Sequence, residues 1–247
     1  MSTIRGRIIL AFLGLTLLVS PFLIFSYTSL KKVSDSRTLR EQIAFFNVTR
    51  LKLSNKFSEI QDHDTKVASF YSIEPSENLN QLDEYILLAN DALMCIDKSD
   101  DVLDRVIHSR VKLIQNDLKI LNSTIHRVLL LERKRGFKND GLEGILRENA
   151  HQLENAPGIL LAENLSLRRR EKDYFLRKDI DYVTQLNHES DSLKSRLSAN
   201  LEENVCTLEL LTAYQDSFNA IVMLEEEIGG PESGLIQEIH DADQDIA

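Results

Sequence analysis

Several cations in this chain fall where the apolar pattern calls for a leucine, and they are the residues best placed to do chemistry. Leu39, Ile43, Phe46, Arg50, Leu53, Phe57, Ile60, Asp64, Val67 and Tyr71 advance in alternating steps of four and three. That is a heptad seam, so Arg50 and Asp64 stand at core positions. Around Leu161, Leu165 and Phe175 the same stepping carries Arg168 and Lys172 onto a seam. A buried charge without a partner is costly, so each of these side chains calls for one. A buried ion pair or a side chain snorkelling to solvent would satisfy it; so would a ligand carboxylate. Arginine suits that last role because its fork donates two parallel hydrogen bonds. Two such cations brought together from different helices would make a small anion site inside a bundle. Arg37 and Arg40 share a helix face and form a further candidate, for a ligand or for lipid headgroups.

Other chemistry finds little support. The histidines are His63, His108, His126, His151, His188 and His240, and no pair has the i, i+4 spacing of a helical metal site. The acidic surface around His63, with Asp62 and Asp64, reads as a solvated face. There is no G-x-S-x-G and no phosphate loop. The expectation is a binding protein rather than an enzyme, with no catalytic residue, metal or cofactor. A formal charge of −10 argues against nucleic acid as a partner. Cys95 and Cys206 are isolated and read as two small core residues.

The elements that must position these side chains are helical. Between Leu30 and Arg135 there is no glycine, and Pro75 is the only proline. Strand-and-turn folds need far more punctuation. Ile107, Val111, Ile114, Leu118, Leu121, Ile125 and Val128 form a second seam; Leu211, Tyr214, Phe218, Ile221 and Ile228 lie on a third. From Leu197 to Leu211 the apolar face shifts through Leu201, Val205 and Leu208, which reads as one helix changing partners midway. Breakers mark the helix ends: Glu74-Pro75-Ser76, with Ser76 capping the next helix, then Ser99-Asp100, Gly136–Gly141, Ala156-Pro157-Gly158, Lys178-Asp179 with Asp179 as cap, and Gly229-Gly230-Pro231. A helix over 30–73 would be about 65 Å long at 1.5 Å per residue. The expected fold is therefore all-α, an elongated antiparallel bundle. Gly136 to Glu154 and Gly229 to Ala247 form a weak repeat, in which a glycine is followed five residues later by Gly-Leu opening an amphipathic helix. The last helix, from Leu235, shows no terminator before Ala247, as in a fragment of something longer.

One apolar, uncharged run, Ile8 to Tyr27, has the length needed to cross a hydrocarbon core of roughly 30 Å as a helix. No A-x-A-like site follows it, so it reads as an uncleaved anchor. The expected layout is a short N-terminal segment over 1–7, a transmembrane helix over 8–27 and a helical domain over 28–247. Arg5 and Arg7 precede the run, but Lys31, Lys32, Arg37 and Arg40 follow it, so the flanking charges leave its orientation open.

Leu167 to Arg177 reads LRRREKDYFLR and is followed by Lys178-Asp179-Ile180-Asp181-Tyr182-Val183. This resembles the motif, approximately LRRHEKDFLLRGDxxYV, of the helical bimodular sensor domain of bacterial chemoreceptors and sensor histidine kinases. The two Gly-Leu turns and LLTAYQDSFNAIVMLEEEIG at Leu210 to Gly229 resemble the same family, and the resemblance extends over about 30–247. It implies two stacked helical bundles outside the cytoplasmic (inner) membrane, in the periplasm, between two membrane helices, and so a cytoplasmic N-terminus over 1–7. It implies binding of a small organic acid in some members, a homodimer, and signalling through the second membrane helix to a methyl-accepting or kinase module. The alternatives are a module that senses through a periplasmic binding protein and a membrane-tethered structural scaffold. Two positions depart from the motif: Arg170 stands in place of its histidine, and Lys178 in place of its glycine.

Overall fold

The computed structural model describes residues 4–71, 76–98 and 105–246; for residues 4–18, 105–107 and 201 only the backbone is described. Among the described residues there are eight α-helices and no strand: α1 (Ile4–Asp62), α2 (Glu77–Asp97), α3 (Arg105–Arg135), α4 (Gly141–Leu153), α5 (Leu161–Arg177), α6 (Ile180–Leu197), α7 (Leu201–Ile228) and α8 (Gly234–Ile246). The all-α expectation holds. The chain divides into two compact units, Met1–Leu53 with Glu84–Asn116, and Ser54–Asp83 with Asp117–Ala247.

In the first unit α1, α2 and α3 bury Phe46, Leu53, Ile86, Leu93, Ile96 and Val111, at the helical spacing the seams require. Further toward the start of α1, Phe22, Leu23, Ile24, Phe25, Tyr27, Leu30 and Val33 are all exposed. Of the expected anchor over 8–27, the side chains of 8–18 lie outside the described residues. Among the described residues no helix is long and apolar enough to cross a membrane.

In the second unit α4, α5, α6 and α7 form a four-helix bundle in which sequence neighbours pack side by side and α4 closes against α7. The connections span 154–160, 178–179 and 198–200. Connections this short make consecutive helices antiparallel. The core joins Leu146, Leu167, Leu186, Leu211, Tyr214 and Phe218, and each such side chain contributes about 1.5–3 kcal/mol on burial. The end of α1, the 3-10 turn after it, the start of α2 and the later part of α3 add Ile60, Phe70, Leu82, Leu118 and Ile125, all fully buried.

Most of the expected breakers are where the helices stop. Ser76 caps α2, its Oγ accepting from the Leu79 N–H at 3.3 Å. Asp179 caps α6, accepting from the Asp181 N–H at 2.9 Å. The two glycine turns share one geometry: Gly136, Gly141, Gly229 and Gly234 all have positive φ, between 60° and 86°. A Cβ on Gly136 would lie 2.0 Å from the Asp140 carbonyl oxygen, and one on Gly229 would lie 2.1 Å from that of Ser233. Glu74-Pro75 and Ser99-Asp100 lie outside the described residues.

Four expectations are corrected. First, α1 ends at Asp62, short of residue 73, and short 3-10 turns follow at Asp64–Lys66 and Ala68–Tyr71. Asp64 therefore leaves the heptad seam and accepts from Ser76 Oγ at 3.1 Å and Asn78 Nδ2 at 3.0 Å, while Val67 is exposed. Second, the stretch 197–211 is not one continuous helix but holds a turn between two antiparallel helices. Residues Ser198–Asn200 separate α6 from α7, Asn204 Nδ2 donates to the Asn200 carbonyl at 3.0 Å, and Thr207 Oγ1 donates to that of Pro157 at 3.0 Å. Third, the buried face of α5 is Asn164, Leu167, Glu171 and Tyr174, so Leu161 and Leu165 are exposed. Fourth, Cys95 and Cys206 are exposed cysteines outside any disulfide rather than core residues.

Lys178 closes α5 in the left-handed conformation, φ 54° and ψ 30°, which costs a residue with a Cβ roughly 1–2 kcal/mol. This is the position where the resembling motif has glycine. Lys178 recovers part of that cost through its Nζ, 2.7 Å from Glu225 Oε1, a partly exposed pair worth at most about 1 kcal/mol. Lys178→Gly is thus expected to be at least as stable as the parent chain and about 1–2 kcal/mol more stable than Lys178→Ala, which keeps the strain and loses the pair. Urea unfolding of the two variants checks this; equal midpoints would show that the backbone is unstrained there.

Candidate functional site

The motif cations converge on a carboxylate of their own helix. Glu171 is 1% exposed. Its Oε2 takes a hydrogen bond from Tyr214 Oη at 2.7 Å and from Arg168 Nη1 at 2.5 Å, and Lys172 Nζ lies 3.1 Å from its Oε1. Burial, with Glu171 beside it, pushes the Tyr214 hydroxyl far above the usual phenol range, so it stays a donor. Arg168 is thereby the partner of a core carboxylate on its own helix, and the Tyr214 hydrogen bond to that carboxylate ties α5 to α7. Lys172 is more exposed and reaches a second feature on the adjoining surface.

That feature is a crevice of about 300 Å³ lined by Lys66, Arg135, Lys172, Lys178, Glu143, Glu225, Phe137, Phe175 and Ile221. Each wall has its own local cause. Lys66 ends the first 3-10 turn after α1. That segment is fixed by Tyr71, whose hydroxyl donates to the Thr65 carbonyl at 2.8 Å and whose ring stacks on Phe137 at 6.4 Å; burial pushes this phenol up to about 12. Arg135 is the last residue of α3, and Lys178 is held at the end of α5 by its left-handed backbone. Lys172 and Lys178 both sit over the Phe175 ring, at 5.8 and 5.5 Å. Four cations face two carboxylates in this lining, so the crevice carries an excess of positive charge suited to a small anion.

A neighbouring cavity of about 520 Å³ shares Arg135, Lys178 and Glu225 and adds Glu132, Tyr174, Glu226 and Ser233. Glu132 is 7% exposed. Burial raises its carboxyl above the ordinary range; Arg135, 3.5 Å away, opposes this, and Glu225 adds to it. Burial, and then Glu225, likewise raises the Tyr174 hydroxyl. Glu132 and Glu225 hold equivalent places in the two glycine turns, their carbonyls accepting from Gly136 N at 2.9 Å and Gly229 N at 2.8 Å.

Of the residues expected to bind a ligand, Lys172 lines the crevice and Arg168 lies one turn away on Glu171. Arg50 is half-buried in α1, in the other unit. Arg37 is exposed and pairs with Glu41 at 3.0 Å, and Arg40 is exposed. Arg37, Arg40 and Arg50 thus belong to the first unit, and Arg168 and Lys172 to the second. Sequence reasoning missed Lys66, Arg135, Lys178 and Glu225. A signal for the corner existed: L-E-x-x-x-G-x-x-x-x-G-L occurs at both Leu131–Leu142 and Leu224–Leu235, which extends the weak repeat back to both glutamates.

Comparison with known proteins adds no relative: no family model, no curated protein and no solved structure matches this chain.

Proposed function

We propose that this chain is the signal-sensing portion of a bacterial transmembrane receptor, a chemoreceptor or a sensor histidine kinase, and that it binds a small organic acid in the cation-lined crevice. The observation that carries this reading is the convergence of Lys66, Arg135, Lys172 and Lys178 from three separate stretches of chain on one crevice of about 300 Å³, a size that suits a small ligand. The LRRREKDYFLR segment supplies one wall through Lys172 and Phe175. The exposed apolar side chains from Phe22 to Val33 of α1 support a membrane anchor that begins in the run from Ile8, with the helical domain on the periplasmic side of the inner membrane. A homodimer is part of the same reading. A ligand that binds one packing of the helices better than another shifts the population toward it, and a small displacement of a long helix is a known way to carry such a shift onward.

The test is thermal unfolding of the full chain in detergent against malonate, succinate, citrate and acetate. A ligand at 100 times its dissociation constant adds about 2.7 kcal/mol, worth roughly 2–4 °C per kcal/mol in a domain of this size. An upward shift is expected for the parent chain and is expected to vanish in Arg135→Ala, which removes the guanidinium without touching the Glu171 node. A shift that persists in Arg135→Ala would place the ligand elsewhere.

A further inference from the structure

Glu225 already occupies the site with the chemistry of the ligand. Its Oε1 lies 2.7 Å from Lys178 Nζ and 3.7 Å from Arg135 Nη1, and its side chain is 12% exposed. It is the one carboxylate that lines both the crevice and the neighbouring cavity. Its Oε2 is shut off from solvent and makes no hydrogen bond of ordinary length among the described residues, although the Tyr174 hydroxyl interacts with this carboxylate. Tyr174 and Glu132 stand close by, so a second carboxylate competes for the same Arg135. A largely buried carboxylate carries a desolvation penalty that a better-placed anion can relieve.

We propose that Glu225 is an internal competitor for the crevice, so that a small dianion binds by taking Lys178 and Arg135 from it. This rests on reading the crevice as an acid-binding site and adds what sets its affinity. A monoanion only exchanges one carboxylate for another on these cations. A dianion replaces Glu225 with one group and reaches Lys66 or Lys172 with the other. Glu225 also lies one turn before Gly229, whose N–H bonds to the Glu225 carbonyl, so the displaced side chain leaves from the corner that joins α7 to α8.

The test is calorimetric titration of malonate and of acetate into the full chain in detergent, comparing the parent with Glu225→Gln, Glu225→Ala and Arg135→Ala, each first shown by its melt to be folded. Neutralising Glu225 is expected to tighten malonate binding by ten-fold or more in both Glu225 variants. Malonate binding by Glu225→Gln that is unchanged or weaker, alongside parent binding that Arg135→Ala abolishes, overturns the competitor and leaves the acid site standing. Binding of neither anion by any variant overturns both. Acetate bound by the parent as tightly as malonate also overturns the competitor, because one carboxylate would then suffice to displace it.

Discussion

Replacing Glu171 by alanine is expected to cost about 3–5 kcal/mol of stability, the range for removing one partner of a buried ion pair. The carboxylate is 1% exposed and accepts from Tyr214, itself fully buried, and from Arg168, whose side chain is 19% exposed. Without it, the Tyr214 hydroxyl loses its acceptor in the core and Arg168 is left a partly buried cation. Lys172 contributes little to the loss, because its exposed amine turns to water. Glu171→Gln keeps an acceptor for Tyr214 but discards the charge, so it is expected to fall between, at about 1–3 kcal/mol. Tyr214→Phe should be less damaging in the alanine background than in the parent, with a coupling on the order of 0.5–3 kcal/mol. Urea unfolding of the parent, the three single variants and the Glu171→Ala/Tyr214→Phe double variant measures all of this. A Glu171→Ala chain within about 1 kcal/mol of the parent would mean that the node is hydrated and worth no more than a surface pair.

That node also shows where sequence reasoning stops. The turns at Gly136–Gly141, Pro157-Gly158, Asp179 and Gly229–Gly234 were legible because each carries a residue that favours a helix end. The turn at Ser198–Asn200 has no glycine or proline. It is held by the side chains of Asn204 and Thr207, which donate to carbonyls of Asn200 and Pro157, so its signal is a tertiary contact. The end of α1 was hidden for a different reason. The four-and-three spacing continues past Asp62 through Val67 and Tyr71, although the chain is by then in 3-10 turns. On α5 the pattern inverts hydropathy: Asn164 and Glu171 are buried, while Leu165 and Leu176 are exposed. Periodicity finds a face only when that face is apolar. The crevice was the least legible, because Lys66, Arg135, Lys178 and Glu225 come from four segments that only the folded unit brings together.

Phe218→Ala is expected to cost about 3–5 kcal/mol, the usual loss for a large aromatic in a closed core, and to weaken anion binding as well. Phe218 is fully buried, with its ring 5.5 Å from Tyr174 and 6.1 Å from Phe175 in edge-on contacts. Such pairs add about 0.5–1.5 kcal/mol each beyond burial. Both neighbouring rings carry the site: Lys178 lies over Tyr174 and Phe175, and Lys172 over Phe175. Removing Phe218 opens a cavity into which those rings can settle, because a core relaxes around lost volume. The two lysines then lose the surface that spaces them. Phe218→Leu restores most of the volume, so its cost is expected to stay below about 1.5 kcal/mol plus the lost edge contacts, and its malonate affinity should lie near that of the parent. Urea unfolding and calorimetric titration at a temperature where both variants are folded separate the two effects. Full malonate affinity in folded Phe218→Ala would show that the lysines are placed by their own backbone and not by the aromatic cluster beneath them.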